Sequence, residues 1–164
     1  MKEAKKNTDF LFISRIKILY LQRYGTHFNL MRMKKQQIQI EHSLRSTSPN
    51  IIWNLISTEG GLCRWIADDV KENKGNFSFV WGDEQSHHEK RTAHTVERVR
   101  HSHLRLRWDD ETDPDAYLEI RMLRTEVTGG YILHITDYAL PEDVDSLYDI
   151  WEQNLDQLRQ TTGL

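Results

Sequence analysis

Cysteine, proline and long apolar runs are all scarce in this sequence, and each scarcity removes a class of protein. A single cysteine, Cys63, excludes an internal disulfide and leaves no thiol cluster for a zinc site, which fits a reducing, cytoplasmic setting. Three prolines in 164 residues, with no low-complexity tract, exclude collagen-like and linker-like chains. The apolar stretch near the N-terminus, residues 10–21, is interrupted by Arg15 and Lys17 and followed by no small-residue cleavage motif. Neither a signal peptide nor a membrane span is therefore expected.

What is present is the balance of a soluble globular domain, 38% hydrophobic and 29% charged, at a length that supports one core and not two. The net charge of −3 hides an asymmetry. Residues 1–35 hold nine Lys/Arg against two Asp/Glu, or +7, and residues 36–164 hold 13 against 23, or −10. Residues 1–35 read as a basic extension peripheral to the fold, with Met31 or Met33 a natural first residue, and residues 36–164 as the domain. A folded part at −10 repels nucleic-acid phosphates and anionic lipid head groups, so neither is expected as its partner. A basic protein partner is compatible with it.

From Gln36 the run Gln-Ile-Gln-Ile-Glu alternates, with Ile38 and Ile40 on one face, as in a half-buried strand. Ser48-Pro49 supplies an N-cap followed by the helical position where proline is harmless, and Ile51, Ile52, Leu55 and Ile56 recur at helical spacing to about Ser57. Gly60-Gly61 is expected to break that helix, with Leu62, Trp65 and Ile66 forming a second short helical turn. Strands are then expected over residues 76–81, 89–100, 104–108, 117–124 and 131–138. The clearest is Leu104, Leu106 and Trp108 alternating with Arg105 and Arg107. Pro141-Glu142-Asp143 suits a helix N-terminus. Behind it Val144, Leu147, Tyr148, Trp151, Leu155 and Leu158 form one apolar stripe opposite Asp145, Asp149, Glu152 and Gln153.

The order of strand, two short helices, a run of antiparallel strands and a long final helix resembles the START-like, or SRPBCC, superfamily. Local wording agrees in Trp53-Asn54-Leu55, in residues 61–69, in Leu106-Arg107-Trp108, in Ile135-Thr136-Asp137-Tyr138, and in the Trp151 of the terminal helix. These segments are similar to the branch related to activators of heat-shock protein 90 ATPase and to small bacterial START-like proteins with no assigned activity. The resemblance implies an α+β helix-grip fold, a curved antiparallel sheet of six or seven strands around the C-terminal helix. It also implies a cavity between sheet and helix, which in relatives holds lipids, polyketides or other apolar molecules. It names no single function, because this superfold hosts carriers, cyclases and co-chaperone-like modules.

The aromatic residues Trp53, Trp65, Phe79, Trp81, Trp108, Tyr148 and Trp151 all project toward the common interior by these periods. With Leu106, Ile120, Met122, Leu155 and the polar Asp137 they are the expected lining of a cavity for a small apolar molecule. Residues of catalytic type are sparse: His94, His134, Asp137 and Tyr138 are the candidates for acid or base chemistry in a cyclase-type enzyme. The pairs His87-His88 and His101-Ser102-His103 are expected in solvent-facing turns, since ligands one or two residues apart seldom converge on zinc unaided. The acid run Asp109 to Asp115 lacks the glycine and terminal glutamate of a calcium loop. No metal and no cofactor are expected, and the leading reading is a non-enzymatic binding module. A protein-interaction module is the alternative.

Overall fold

The computed structural model describes residues 34–82 and 88–164. The basic extension up to residue 33, and His87, lie outside the described residues. Lys35 belongs with the domain: its backbone N–H donates to Asp113 Oδ2 at 2.8 Å and its ammonium to Glu111 Oε2 at 2.6 Å.

Seven strands form one antiparallel sheet: β1 (Gln36–Leu44), β2 (Asp69–Asn73), β3 (Asn76–Gly82), β4 (His88–Val99), β5 (His103–Trp108), β6 (Leu118–Arg124) and β7 (Tyr131–Ala139), in the order β1-β7-β6-β5-β4-β3-β2. Three helices complete the described residues: α1 (Pro49–Ser57), α2 (Glu59–Leu62) and α3 (Val144–Thr162), the last entered through a 3-10 turn at Pro141–Asp143. The architecture is α+β, a curved sheet gripping a long C-terminal helix. α3 packs across β1 and β7, while α1 packs on β5 and β6 at the other end of the concave face.

Strand alternation divides the sheet into two surfaces. Ile38, Phe77, Phe79, Ala93, Leu104, Leu106, Leu118, Ile120, Leu133 and Ile135 are buried on the concave side, against Trp65, Trp151, Leu155 and Leu158. Each large apolar side chain fully buried there stabilises the fold by about 1.5–3 kcal/mol. The convex side is charged. Glu119 of β6 accepts from Arg105 at 2.6 and 2.9 Å and from Arg121 at 2.9 Å, and Arg105 lies over the Tyr117 ring at 4.7 Å. Burial pushes the Glu119 carboxyl up, but the bonds from Arg121 and Arg105 outweigh it and hold the group below its ordinary value.

Three expectations are corrected. Gly60-Gly61 does not break the helical region but lies inside α2, whose N-cap is Thr58, with Oγ1 accepting from Gly61 N at 3.1 Å. The glycine is needed for proximity: a Cβ on Gly61 would meet the Leu55 carbonyl at 2.6 Å and Leu55 Cα at 2.7 Å, so α2 rides directly on the end of α1. β2 was not expected as a separate strand. Val70 is its one buried apolar residue, and it pairs only with β3 as an edge, through a hairpin whose Lys74 and Gly75 both have positive φ. His103 is buried and not solvent-facing, because it opens β5 on the convex face, with Nδ1 2.9 Å from Ser102 Oγ and Nε2 3.0 Å from Glu97 Oε2.

Candidate functional site

The concave face carries a carboxyl on β7, the strand on which α3 packs. Asp137 sits on β7 opposite Ile38 of β1, and its neighbours in sequence, Thr136 and Tyr138, point to the convex side. Asp137 Oδ1 accepts from the following backbone N–H, of Tyr138, at 2.8 Å, and Oδ2 accepts from the indole Nε1 of Trp151 at 3.0 Å. Trp151 is 3% exposed and its ring lies 6.0 Å from that of Trp65, whose own indole donates to the Leu55 carbonyl at 3.3 Å. The contact therefore ties α3 to the sheet and, through Trp65, to the short helices.

Burial pushes the Asp137 carboxyl up to about 6, against the opposing effect of the Tyr138 and Trp151 hydrogen bonds and of the Arg91 and Lys35 charges. Both cations have carboxylates of their own. Arg91 donates to Asp110 from Nε and Nη2 at 2.9 to 3.1 Å, and Lys35 donates to Glu111. Asp137 thus behaves as a desolvated acid held by two neutral donors.

A raised folded-state value means that the native protein keeps this proton to a higher pH than the unfolded chain. Its contribution to stability is fully present below about pH 4 and is lost as pH rises through about 6. Asp137→Asn removes the titration. Lowering pH from 7 to 5 should therefore shift stability in favour of the wild type over the variant by about 1 kcal/mol. Urea denaturation of both proteins at the two pH values measures this directly, and a constant difference would mean that the carboxyl is solvated.

Aromatic rings gather along β3 and β5. Phe79 and Trp108 lie 5.3 Å apart, Phe79 and Trp81 stack at 6.0 Å, and Trp81 and Trp108 are 6.4 Å apart. Phe79 is fully buried, whereas Trp81 and Trp108 are half-buried. The Arg91 guanidinium covers the Trp108 ring at 4.2 Å, and the Trp81 indole donates to the Ile66 carbonyl at 2.6 Å.

The residues expected from sequence are therefore brought together unequally. Trp65, Phe79, Leu106, Ile120, Met122, Trp151 and Leu155 are buried in one core cluster, with Trp81 and Trp108 packed against it. Trp53, on α1, also packs against it, and its ring meets His101 edge-on at 6.4 Å. Tyr148 is 42% exposed, contrary to the expectation that it points inward. Val144 and Leu147 beside it are only half-buried, so the N-terminal half of α3 is less deeply covered than the half carrying Trp151, Leu155 and Leu158. Arg91 was not anticipated. Its place shows only when the alternation of β4 is counted from Ala93, because that strand has too few apolar residues to declare its faces.

The four acid–base candidates are divided between the two faces. Asp137 alone is concave. His134 is paired across the convex side with Glu41 and Arg121, His94 lies exposed 3.0 Å from Asp109 Oδ1, and the Tyr138 ring packs on Tyr117 at 5.1 Å. Among the described residues no group of three or more His, Cys, Asp or Glu is placed to hold a metal ion. The acid run of residues 109–115 is spent on internal pairs with Lys35, Arg91 and His94.

Cys63 accepts from the backbone N–H of Val70 at 3.0 Å, and burial pushes its thiol above the ordinary value. Native Cys63 should react with an aromatic disulfide reagent at neutral pH at least tenfold more slowly than the thiol of the urea-unfolded chain. Equal rates would place the thiol in solvent.

A long helix gripped by a curved seven-stranded antiparallel sheet, with short helices closing one end, defines the helix-grip class. The chain belongs to the family of START-like superfamily domains, whose model matches residues 32–164. The solution structure of BfR322 from Bacteroides fragilis is 38% identical, covering 79% of this chain and 92% of that one at a TM-score of 0.53. The AHSA1-like protein of Aeromonas hydrophila is 14% identical, covering 78% and 92% at 0.64. The Aha1 dimer of Colwellia psychrerythraea is 12% identical, covering 78% and 98% at 0.62. The last two likenesses concern the fold alone. No curated protein matches the sequence. No helix among the described residues is long and apolar enough to cross a membrane.

Proposed function

We propose that this START-like domain is a non-enzymatic binding module that takes up a small, largely apolar molecule between the sheet and the C-terminal helix. The observation that carries this reading is the composition of the concave face. Trp81 and Trp108 are only half-buried there, and the face also holds the polar Asp137 and Arg91, Arg91 lying over the Trp108 ring, where a purely apolar core would carry neither. The scattering of His94, His134 and Tyr138 onto the opposite face leaves Asp137 without a catalytic partner from that set. Native mass spectrometry of the purified protein, followed by solvent extraction and re-addition of the extracted molecule, tests the reading. A bound mass that leaves on extraction and rebinds in a 1:1 ratio supports it, whereas an apo mass with no uptake of apolar probes speaks against it.

A second reading, a protein-interaction module, is favoured by the acidic outer side of α3, where Asp145, Asp149 and Glu152 surround the exposed Tyr148. Under that reading a purified heat-shock ATPase would bind at low salt and release as ionic strength rises. ATPase stimulation that survives a Trp81→Ala change on the concave face would favour this second reading over the first.

A further inference from the structure

Asp137 poses a charge problem that the fold itself leaves open. Asp137 is half-buried as a residue but its carboxyl is desolvated, and a desolvated carboxylate is ordinarily paired with a cation because loss of hydration without a counter-charge is costly. Among the described residues no lysine, arginine or histidine stands within ion-pair distance of Asp137, and its two partners, the Tyr138 amide and the Trp151 indole, are neutral donors. The cations whose fields reach it come from two elements: Arg91 on β4 and Lys35 ahead of β1. Arg91 is fixed by a two-nitrogen grip on Asp110 and by stacking on Trp108, and Lys35 is fixed by Glu111 and Asp113. From β1 the facing residue is Ile38, and from α3 it is Trp151. Among the described residues, both nearby cations are thus already engaged by other acids. The concave face on which it lies is largely apolar and aromatic, with Arg91 and Glu89 of β4 its other charged members, and aromatic faces beside a carboxylate attract cations and repel anions.

We propose that the molecule held under the terminal helix is an amphipathic amine, its protonated nitrogen paired with the Asp137 carboxylate and its apolar body laid against the concave-face tryptophans. This rests on the small-molecule reading above and narrows it to one ligand class. A cation delivered by the ligand completes the pair that the protein leaves unfinished. An anionic head group would meet Asp137 with like charge and would have to pull Arg91 or Lys35 away from its own acid.

The test uses three probes of one chain length, 1-octylamine, 1-octanol and octanoate, each below its micellar concentration, with tryptophan emission as the readout. Trp151 donates to Asp137, so an ammonium arriving there perturbs a reporter already in the site. The amine should bind at least tenfold more tightly than the alcohol at pH 7.5, and octanoate no better than the alcohol. Octylamine stays protonated throughout pH 5–7.5. The amine-to-alcohol ratio should therefore fall by roughly tenfold on going to pH 5, where Asp137 takes up its proton. In Asp137→Asn the ratio should collapse toward one at every pH. The pH series on the wild type carries the same information should that variant fold poorly. Equal binding of all three probes, or tightest binding of octanoate, overturns the amine assignment and leaves the apolar-binding reading standing. Failure of every probe to bind overturns both.

Discussion

Trp151→Ala is expected to cost on the order of 3–5 kcal/mol, the range for truncating a buried aromatic, against a total stability of about 5–15 kcal/mol for a domain of this kind. Two separate losses combine. The indole fills the junction between α3 and the sheet beside Trp65, so its removal leaves a cavity that the tilted Trp65 ring cannot easily close. Its N–H is also one of the two hydrogen-bond donors to Asp137, so truncation leaves a desolvated carboxylate half-satisfied. Trp151→Phe separates the two terms, keeping most of the volume while removing the donor, and should cost about 1–3 kcal/mol. Guanidinium denaturation of both variants gives the comparison. A Trp151→Ala midpoint near that of the parent would mean that the helix does not depend on this residue for its seat.

The second large effect is expected at Gly61. Alanine there places a methyl group on the carbonyl oxygens of Asn54 and Leu55, and the obstruction is backbone, which cannot rotate aside. α2 must then lift off α1, and with it Leu62 and Trp65, both buried in the core. Overpacking of this kind costs about 1–3 kcal/mol, with the upper part of the range expected because no flexible side chain absorbs the clash. The adjacent glycine is the control. Gly60 has open space where its Cβ would stand, so Gly60→Ala should be neutral or slightly stabilising through loss of chain entropy in the unfolded state. Melting temperatures of the two alanine variants, measured side by side, should differ by several degrees, and equal melting would show that α2 is free to shift.

Where side chains alternate against a solvated face, the fold was legible in the amino-acid order. Leu104, Leu106 and Trp108 against Arg105 and Arg107 declared both the existence of β5 and its inward side, and the terminal helix followed from Pro141 and the stripe ending at Leu158. β2 was hidden because an edge strand needs only one buried residue, here Val70. The Asn-Lys-Gly-Asn turn with two positive-φ positions was the better signal of that hairpin. The tight seat of Gly61 on α1 depends on how two helices approach each other, which no local pattern records. Tyr148 fits the helical stripe by spacing alone, and only the depth of packing at the start of α3 puts it in solvent.

The candidate site was half legible for a related reason. Its tryptophans could be assigned inward from strand and helix periods, and Asp137 could be noted as a polar residue in the last strand. Its bond to Trp151 links a strand to a helix across 14 positions, and the fixing of Arg91 by Asp110 spans 19. Such pairings arise from sheet register and helix placement together. Once β4 is paired with β5 so that Ala93 meets Trp108, Arg91 falls on the concave side of necessity.

The central claim, that a small molecule lodges between sheet and terminal helix, is tested most directly by the five tryptophan indole resonances in a nitrogen–proton correlation spectrum of the labelled protein titrated with octylamine. The account predicts saturable shifts at Trp151, Trp81 and Trp108, the largest at Trp151, with Trp53, beside His101 on α1, unmoved. Shifts confined to Trp53, or none at any indole up to millimolar probe, would contradict it.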